Sequence, residues 1–412
     1  MAELGIVSDR APMTISPHVA QNIDRILQAV RSHLKMDVAF VSEFLGKNRI
    51  FRNVDSTSRN FPLKAGDVIP MAAGYCQHVV SGRLPELIPD TDAVAFARQI
   101  PETQSIPIGA HLSVPIGLDD GHVFGTFCCF SHAANLDLKE RDLEMLRTFG
   151  RVVANDIAVD LKADRERRET IERIDAAIEA GDPHIVFQPI VRLTDLSVAG
   201  VECLARFDQE PVRSPDKWFA SAHAVGMGEL LELLAVRKAL EAAAALPADH
   251  VIGINISPLT LIGGNVAEAL SGFDPQRIVI EITEHTPIED YDAILHALAP
   301  LRQMGIRVAI DDAGAGYSSL RHILAMRPDV IKFDVSLTRN VDSDPVRKAM
   351  AAALVEFARR TGTEVVAEGV ETQAEFDALR SLKFDKAQGY FLGRPRALRE
   401  LLADLGLKPP RC

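Results

Sequence analysis

No stretch of this chain stays apolar over the ~18 residues that a membrane-spanning helix requires, so no span is expected. The start, MAELGIVSDRAPM, has no basic segment leading into an apolar one. A secretory signal is therefore not expected, and the cytoplasm is the expected location. Positive charge is in short supply: 45 Lys and Arg against 57 Asp and Glu leave a net charge of −12. That balance offers no broad basic footprint for a polymeric nucleic acid, so an anionic ligand has to be held by local cations or by metal. Cysteine is scarce and odd in number. The five residues (Cys76, Cys128, Cys129, Cys203, Cys412) have no metal-ligand spacing, and adjacent Cys128 and Cys129 are expected on opposite sides of a strand. They read as reduced thiols, mostly small core residues.

What remains is ordinary globular composition, 47% hydrophobic and 25% charged over 412 residues. That length exceeds the ~250–300 residues at which one hydrophobic core stops growing, so two domains are expected. After an N-terminal tail (1–16), Ser16-Pro17 reads as a cap and first-turn proline opening an amphipathic helix through Val19, Ile23, Leu27, Val30 and Leu34. DVAFVSEF and RIFRNVD flank one turn, and HLSVPIGL and HVFGTFCCF flank another, predicting two hairpins. Residues 17–160 are thus an α+β domain. Its Pro- and Gly-rich segment 56–110 suits loops over one face of a sheet, where a ligand pocket can form. A connecting helix is predicted over 143–180; its charged middle, KADRERRET, suits either a solvated spacer or pairing with a second chain.

Beyond Pro183, eight short apolar runs alternate with helical stretches: HIVFQPIV, VAGVECL, VIGINIS, RIVIEITE, RVAIDDA, VIKFD, EVVAEGVE and KAQGYFLG. The pattern predicts βα units and a closed α/β barrel of the TIM type, mainly parallel, over 165–412. Near the ends of the runs the apolar pattern is broken by Glu202, Asn255, Glu281, Asp311, Asp312, Lys332, Glu368 and Gln388. In such a barrel these ends converge on one face. Clustered carboxylates raise one another's pKa and pay for burial unless cations compensate them. Oxygen ligands favour Mg²⁺ or Mn²⁺ over zinc, and the adjacent pair Asp311-Asp312 suits two bridged ions, an arrangement used for phosphoester hydrolysis. A helix cap or a surface ion pair explains any one acidic strand end equally well. Seven strand ends together are not explained that way.

At these residues the chain resembles the EAL-domain family of cyclic di-GMP phosphodiesterases, from about 165 to 405. FQPIV, GVECLARF, NIS, EITE, IDDAGAGYSSL, IKFD, VAEGVET and QGYFLGRP occur in the family's order. The resemblance implies cyclic di-GMP as substrate, linear pGpG as product and two Mg²⁺ or Mn²⁺ ions. By the same resemblance, one ion is held by Glu202, Asn255, Glu281 and Asp311, and the second by Asp311, Asp312 and Glu368. Lys332, Glu368 and Glu202 are the implied catalytic residues, with Lys332 and Gln388 positioning water. Arg206, Gln388 and Gln188 are the implied substrate contacts, and Glu284 and Glu371 supporting residues around the metal ligands.

Two departures stand out from the family pattern. Cys203 replaces the Ala of the name-giving triplet, a small apolar exchange. Ala313 stands where the family usually has Phe and Ala315 where Thr is frequent, which predicts a loop less firmly held. Residues 17–160 resemble GAF sensor domains through YCQHVV, HLSVPI and GTFCCF. A regulatory small-molecule ligand of unknown identity and a homodimer are expected with them. In such a domain Cys76 can anchor a chromophore or sense redox, although core packing accounts for it too. The competing expectation for the whole is an effector that binds cyclic di-GMP without turning it over. No cyclase-like GGDEF segment is present, so synthesis is not expected.

Overall fold

The structure, a computed structural model, describes residues 15–58, 60–283, 290–314 and 318–405, and falls into two compact units, 1–168 and 169–412. Among the described residues no helix is long and apolar enough to cross a membrane.

The first unit is an antiparallel sheet of six strands: β1 (Val38–Leu45), β2 (Asn48–Ser56), β3 (Val68–Pro70), β4 (Leu87–Ile88), β5 (Ala110–Gly117) and β6 (Val123–Ser131), in the order β3-β2-β1-β6-β5-β4. Both predicted hairpins are present, as β1–β2 and β5–β6. The opening helix, Pro17–Leu34, starts where Ser16 accepts from the Val19 N–H. Its stripe Val19, Ile23, Leu27, Val30 and Leu34 covers one sheet face together with Leu146, Val153 and Ile157. The opposite face is covered by the 56–110 segment, through Met71, Tyr75, Cys76, Val79 and Ile100. Cys129 packs on the first face and Cys128 on the second, as strand alternation requires.

A helix from Glu140 to Glu179 carries the chain across the boundary between the units. Within the second unit its last turns bury Ile174 and Ala177 against Phe207, Trp218, Ala222 and Val225, so it rests on the helix Pro215–Val225.

The second unit is a closed barrel of β7 (His184–Arg192), β8 (Val198–Arg206), β9 (Val251–Asn255), β10 (Ile278–Thr283), β11 (Arg307–Ala313), β12 (Val330–Phe333), β13 (Glu364–Ala367) and β14 (Lys386–Ala387). Every one of the eight predicted runs supplies a strand. The barrel departs from all-parallel winding at β7, which is antiparallel to both β8 and β14. The reason is local: residues 193–197 are too few for a crossover helix, so β7 and β8 can only form a hairpin.

Strand alternation sorts the barrel into an outer wall and an interior. Ile252, Ile254, Ile280, Ile282, Val308, Ile310, Ile331 and Val365 belong to the wall that packs on the helices. The alternate residues Ile190, Val279, Ala309, Val330 and Val366, with Val251, form a separate apolar layer inside. At the N-terminal side of the parallel strands this layer is floored by Glu364, which accepts from Arg307 at 3.1 Å and from Lys386 at 2.8 Å. Two residues beyond Val279, Ala309, Val330 and Val366, the interior turns polar with Glu281, Asp311, Lys332 and Glu368.

Ile280, fully buried in the outer wall, contributes packing and no polar atom to the interior. Ile280→Ala is expected to lower the unfolding free energy of the barrel by about 2–5 kcal/mol, read as a lower urea midpoint.

Candidate metal centre

The polar level follows directly from register. β8 places Glu202 opposite Gln188 of β7 and beside Gly253 of β9, while β10 places Glu281 beside Asn255. Asp311 and Lys332 each lie two residues beyond the apolar layer on β11 and β12. Glu368 and Gln388 follow the last paired residues of β13 and β14 and are fixed by backbone bonds to Phe333 and Ala367, respectively.

Lys332 is the hub of this level. Its ammonium lies 2.6 Å from Glu281, 2.8 Å from Glu368, 3.0 Å from Asp311 and 3.2 Å from Glu202, with 1% of the residue exposed. Gln388 bonds both Glu202 (2.5 Å) and Gln188 (2.9 Å), and Gln188 donates to the Gly393 carbonyl. Asn255 donates to the other oxygen of Glu202 at 3.2 Å.

Burial and mutual repulsion set the protonation of the cluster. Burial pushes Glu281 up to about 8, with Glu202 and Asp311 adding to the rise and Lys332 opposing it. Glu368 is likewise raised well above the carboxylate range by burial and by Asp311. For Glu202 burial acts in the same sense, but Lys332, Gln388 and Asn255 outweigh it and hold the carboxyl low. Burial alone disfavours the Lys332 cation; four carboxylates reverse that and fix its proton.

One ammonium cannot balance this many carboxylates, which gives a direct test of whether the site suits cations. Oxygens of Glu202, Glu281 and Asp311 lie within 4.8 Å of one another, as do oxygens of Asp311, Asp312 and Glu368, so Asp311 belongs to both groups. The donor set is oxygen throughout, fitting Mg²⁺ or Mn²⁺. Asp311 Oδ1, close to Lys332 but without hydrogen-bond geometry, is a buried acceptor open to an ion. The cluster borders a cleft of ≈ 840 Å³ whose lining includes Arg206, Asn255, Asp311, Asp312, Pro215 and Phe219.

Other expected residues differ in placement. Glu371 pairs with Arg339 at 2.6 Å. Glu284, Ala315, Gly316, Tyr317 and Cys412 lie outside the described residues. Ala313 is 3% exposed and packed in the outer core, so the start of the loop after Asp312 is anchored without an aromatic ring. Two supporting residues escaped the sequence reading. A Cβ at Gly253 would lie 2.2 Å from Glu281 Oε1, so this glycine makes room for the carboxylate. Its signal was a glycine in the middle of a strand. Glu375 closes a capping box with Thr372 and also accepts from the Glu371 and Asn340 N–H groups, steadying the turn after Glu368. The T-x-x-E spacing announced it.

Two outcomes are expected. Gly253→Ala should weaken Mg²⁺ or Mn²⁺ binding about 10–100-fold by displacing Glu281, measured by calorimetric titration; unchanged affinity in a folded variant would remove Glu281 from the ligand set. Glu281 must lose its proton to ligate, and it is protonated below about 8. Apparent metal affinity should therefore climb as pH rises through 8.

Comparison with known proteins places this geometry. The EAL domain profile matches residues 171–395 and the GAF domain profile residues 18–157. The chain is 31% identical over 326 residues to an uncharacterized signaling protein of Caulobacter vibrioides, covering 77% of this chain and 38% of that protein. It is 29% identical over 253 residues to MucR of Pseudomonas aeruginosa, a bifunctional diguanylate cyclase/cyclic di-GMP phosphodiesterase, covering 58% of this chain and 37% of MucR. The chain thus spans less than half the length of either relative. The solved PaMucR phosphodiesterase in complex with c-di-GMP superposes with a TM-score of 0.50 at 30% identity, covering 57% of this chain and 100% of that one. With its eight-stranded barrel and the sheet domain before it, the chain belongs to the EAL domain family, the family of cyclic di-GMP phosphodiesterases, and carries a GAF domain on the N-terminal side of the barrel.

Proposed function

We propose that the chain is a cytoplasmic, metal-dependent hydrolase that opens cyclic di-GMP to linear pGpG, regulated by its GAF domain and working as a homodimer. The observation that carries this reading is the convergence of Glu202, Glu281, Asp311, Asp312 and Glu368 on one end of the barrel, beside a cleft that holds Arg206. The likeness to the MucR phosphodiesterase adds to it.

In this reading Glu202, Asn255, Glu281 and Asp311 hold one Mg²⁺ or Mn²⁺, and Asp311, Asp312 and Glu368 the other. Ions held by these residues would lower the pKa of a bound water and offset charge on the phosphoryl oxygens. Arg206 presents its guanidinium to a substrate phosphate, a local fork in an acidic protein. Lys332 keeps its proton and orients the attacking water by donation. Gln188 and Gln388 contact the substrate and also fix Glu202, to which Gln388 is bonded. Glu371 acts only at a distance, through the turn it shares with Glu375. The water oxygen bonds to the phosphorus of one phosphodiester, the bond from that phosphorus to the ribose 3′ oxygen breaks, and the departing oxygen takes up a proton, so the ring opens to pGpG.

The test is full-length protein with cyclic di-GMP and Mg²⁺ or Mn²⁺, followed by product chromatography. Linear product is expected, Glu202→Ala and Asp311→Ala should each lower the rate by roughly a hundredfold or more, and Ca²⁺ should not support turnover because its looser geometry fits poorly. Near-native turnover by a well-folded Asp311→Ala protein would sink the two-ion assignment. Tight binding with no product would favour an effector that reads cyclic di-GMP without cleaving it.

A further inference from the structure

The reaction proposed for the barrel leaves unused a buried polar cluster in the GAF domain, on the sheet face covered by the 56–110 segment. Cys76, from the short helix Tyr75–Val80, and Cys128, from β6, meet there with their sulfurs 3.5 Å apart. Arg49 of β2 donates to the Cys76 sulfur at 2.8 Å, pairs with Glu102 and lies 4.8 Å over the Phe51 ring. Room for this guanidinium is left by Gly74, where a Cβ would lie 2.5 Å from Arg49 Nη2. Cys128 is held by Ser113 at 3.0 Å and Thr126 at 3.2 Å.

Core packing alone does not call for this arrangement. A buried thiol packs well among apolar neighbours, whereas here a permanently charged side chain, 1% exposed, is aimed at a sulfur. The two sulfurs are driven apart in acidity. Burial opposes the Cys76 thiolate, but the bond with Cys128 and the charge of Arg49 prevail and bring Cys76 down to about 6. Burial, reinforced by Cys76, pushes Cys128 well up. A thiolate therefore faces a thiol, the pairing of an attacking and a resolving cysteine.

We propose that Cys76 and Cys128 form a two-electron redox site, at which Cys76 reacts with a small hydroperoxide and Cys128 closes the product to an intramolecular disulfide. The Cys76 thiolate attacks a peroxide oxygen, the O–O bond breaks, and the departing oxygen takes a proton from water; Cys76 becomes a sulfenic acid. The Cys128 sulfur then attacks that of Cys76. An S–S bond forms, the S–O bond breaks, and the hydroxide leaves as water with the Cys128 proton. Two thiols are thereby oxidised by two electrons, and one hydroperoxide is reduced. The sulfurs need to approach to about 2.05 Å, a small movement for a six-residue helix. Burial of both residues restricts the site to small oxidants.

The test uses reduced full-length protein treated with hydrogen peroxide, then alkylated in denaturant and mapped by mass spectrometry. Two of the five thiols should be lost, in a peptide pair joining Cys76 to Cys128, and dithiothreitol should restore them. Cys129→Ser should leave this result unchanged. Cys128→Ser should accumulate a sulfenic acid at Cys76, trapped by dimedone, and Arg49→Lys should slow oxidation at neutral pH by roughly tenfold. Five alkylated thiols after exposure that fully oxidises free dithiothreitol would overturn the proposal. So would a linkage to Cys129, or a folded Cys128→Ser protein without the dimedone adduct.

Discussion

Four carboxylates within 3.2 Å of one buried ammonium group set the terms on which the upper half of the barrel folds. Each of those charges costs several kcal/mol to bury, and attraction to Lys332 repays the cost only in part. The raised pKa values of Glu281 and Glu368 record the shortfall, since protons remain where no cation is available. A cluster balanced this way is held together by position and not by its own energy. The apolar layer below it, Ile190, Val279, Ala309, Val330 and Val366, and the helix-covered wall outside it supply the stability that the polar level consumes.

The same constraint explains the small residues around it. Gly253 yields the space that Glu281 fills, and Asn255 and Gln388 each spend a donor on Glu202. These groups keep a low-pKa carboxylate beside raised ones, so neighbouring ligands differ in how readily they shed a proton.

Much of this was legible in the sequence, because the barrel writes its interior at a period of two. Val279 and Glu281, Ala309 and Asp311, or Val330 and Lys332 read as an apolar residue followed two places later by a polar one, and only convergence of strand ends gives that repetition a purpose. The antiparallel course of β7 was harder to see, since HIVFQPIV has the same apolar character whichever way it runs. The short 193–197 connection was its signal. Glu371 illustrates a different limit: its side chain pairs with Arg339, a partner that strand-end spacing cannot reveal. In the GAF domain the two sheet faces followed from alternation, whereas the meeting of Cys76 with Cys128 and Arg49 depends on how the irregular 56–110 segment folds back, which no periodicity encodes.

The reversed first strand has a mechanical result. In a barrel wound wholly in parallel, the chain would enter at the floor, beside the Arg307, Glu364 and Lys386 cluster. Because β7 runs the other way, it begins at His184 opposite Arg206, on the rim that bears the cleft. The turns that precede it, with Ile174 and Ala177, lean on the helix whose Pro215 and Phe219 line the cleft. The last turns of the incoming helix thus rest on a helix that also lines the cleft, on the side of the barrel where β7 begins.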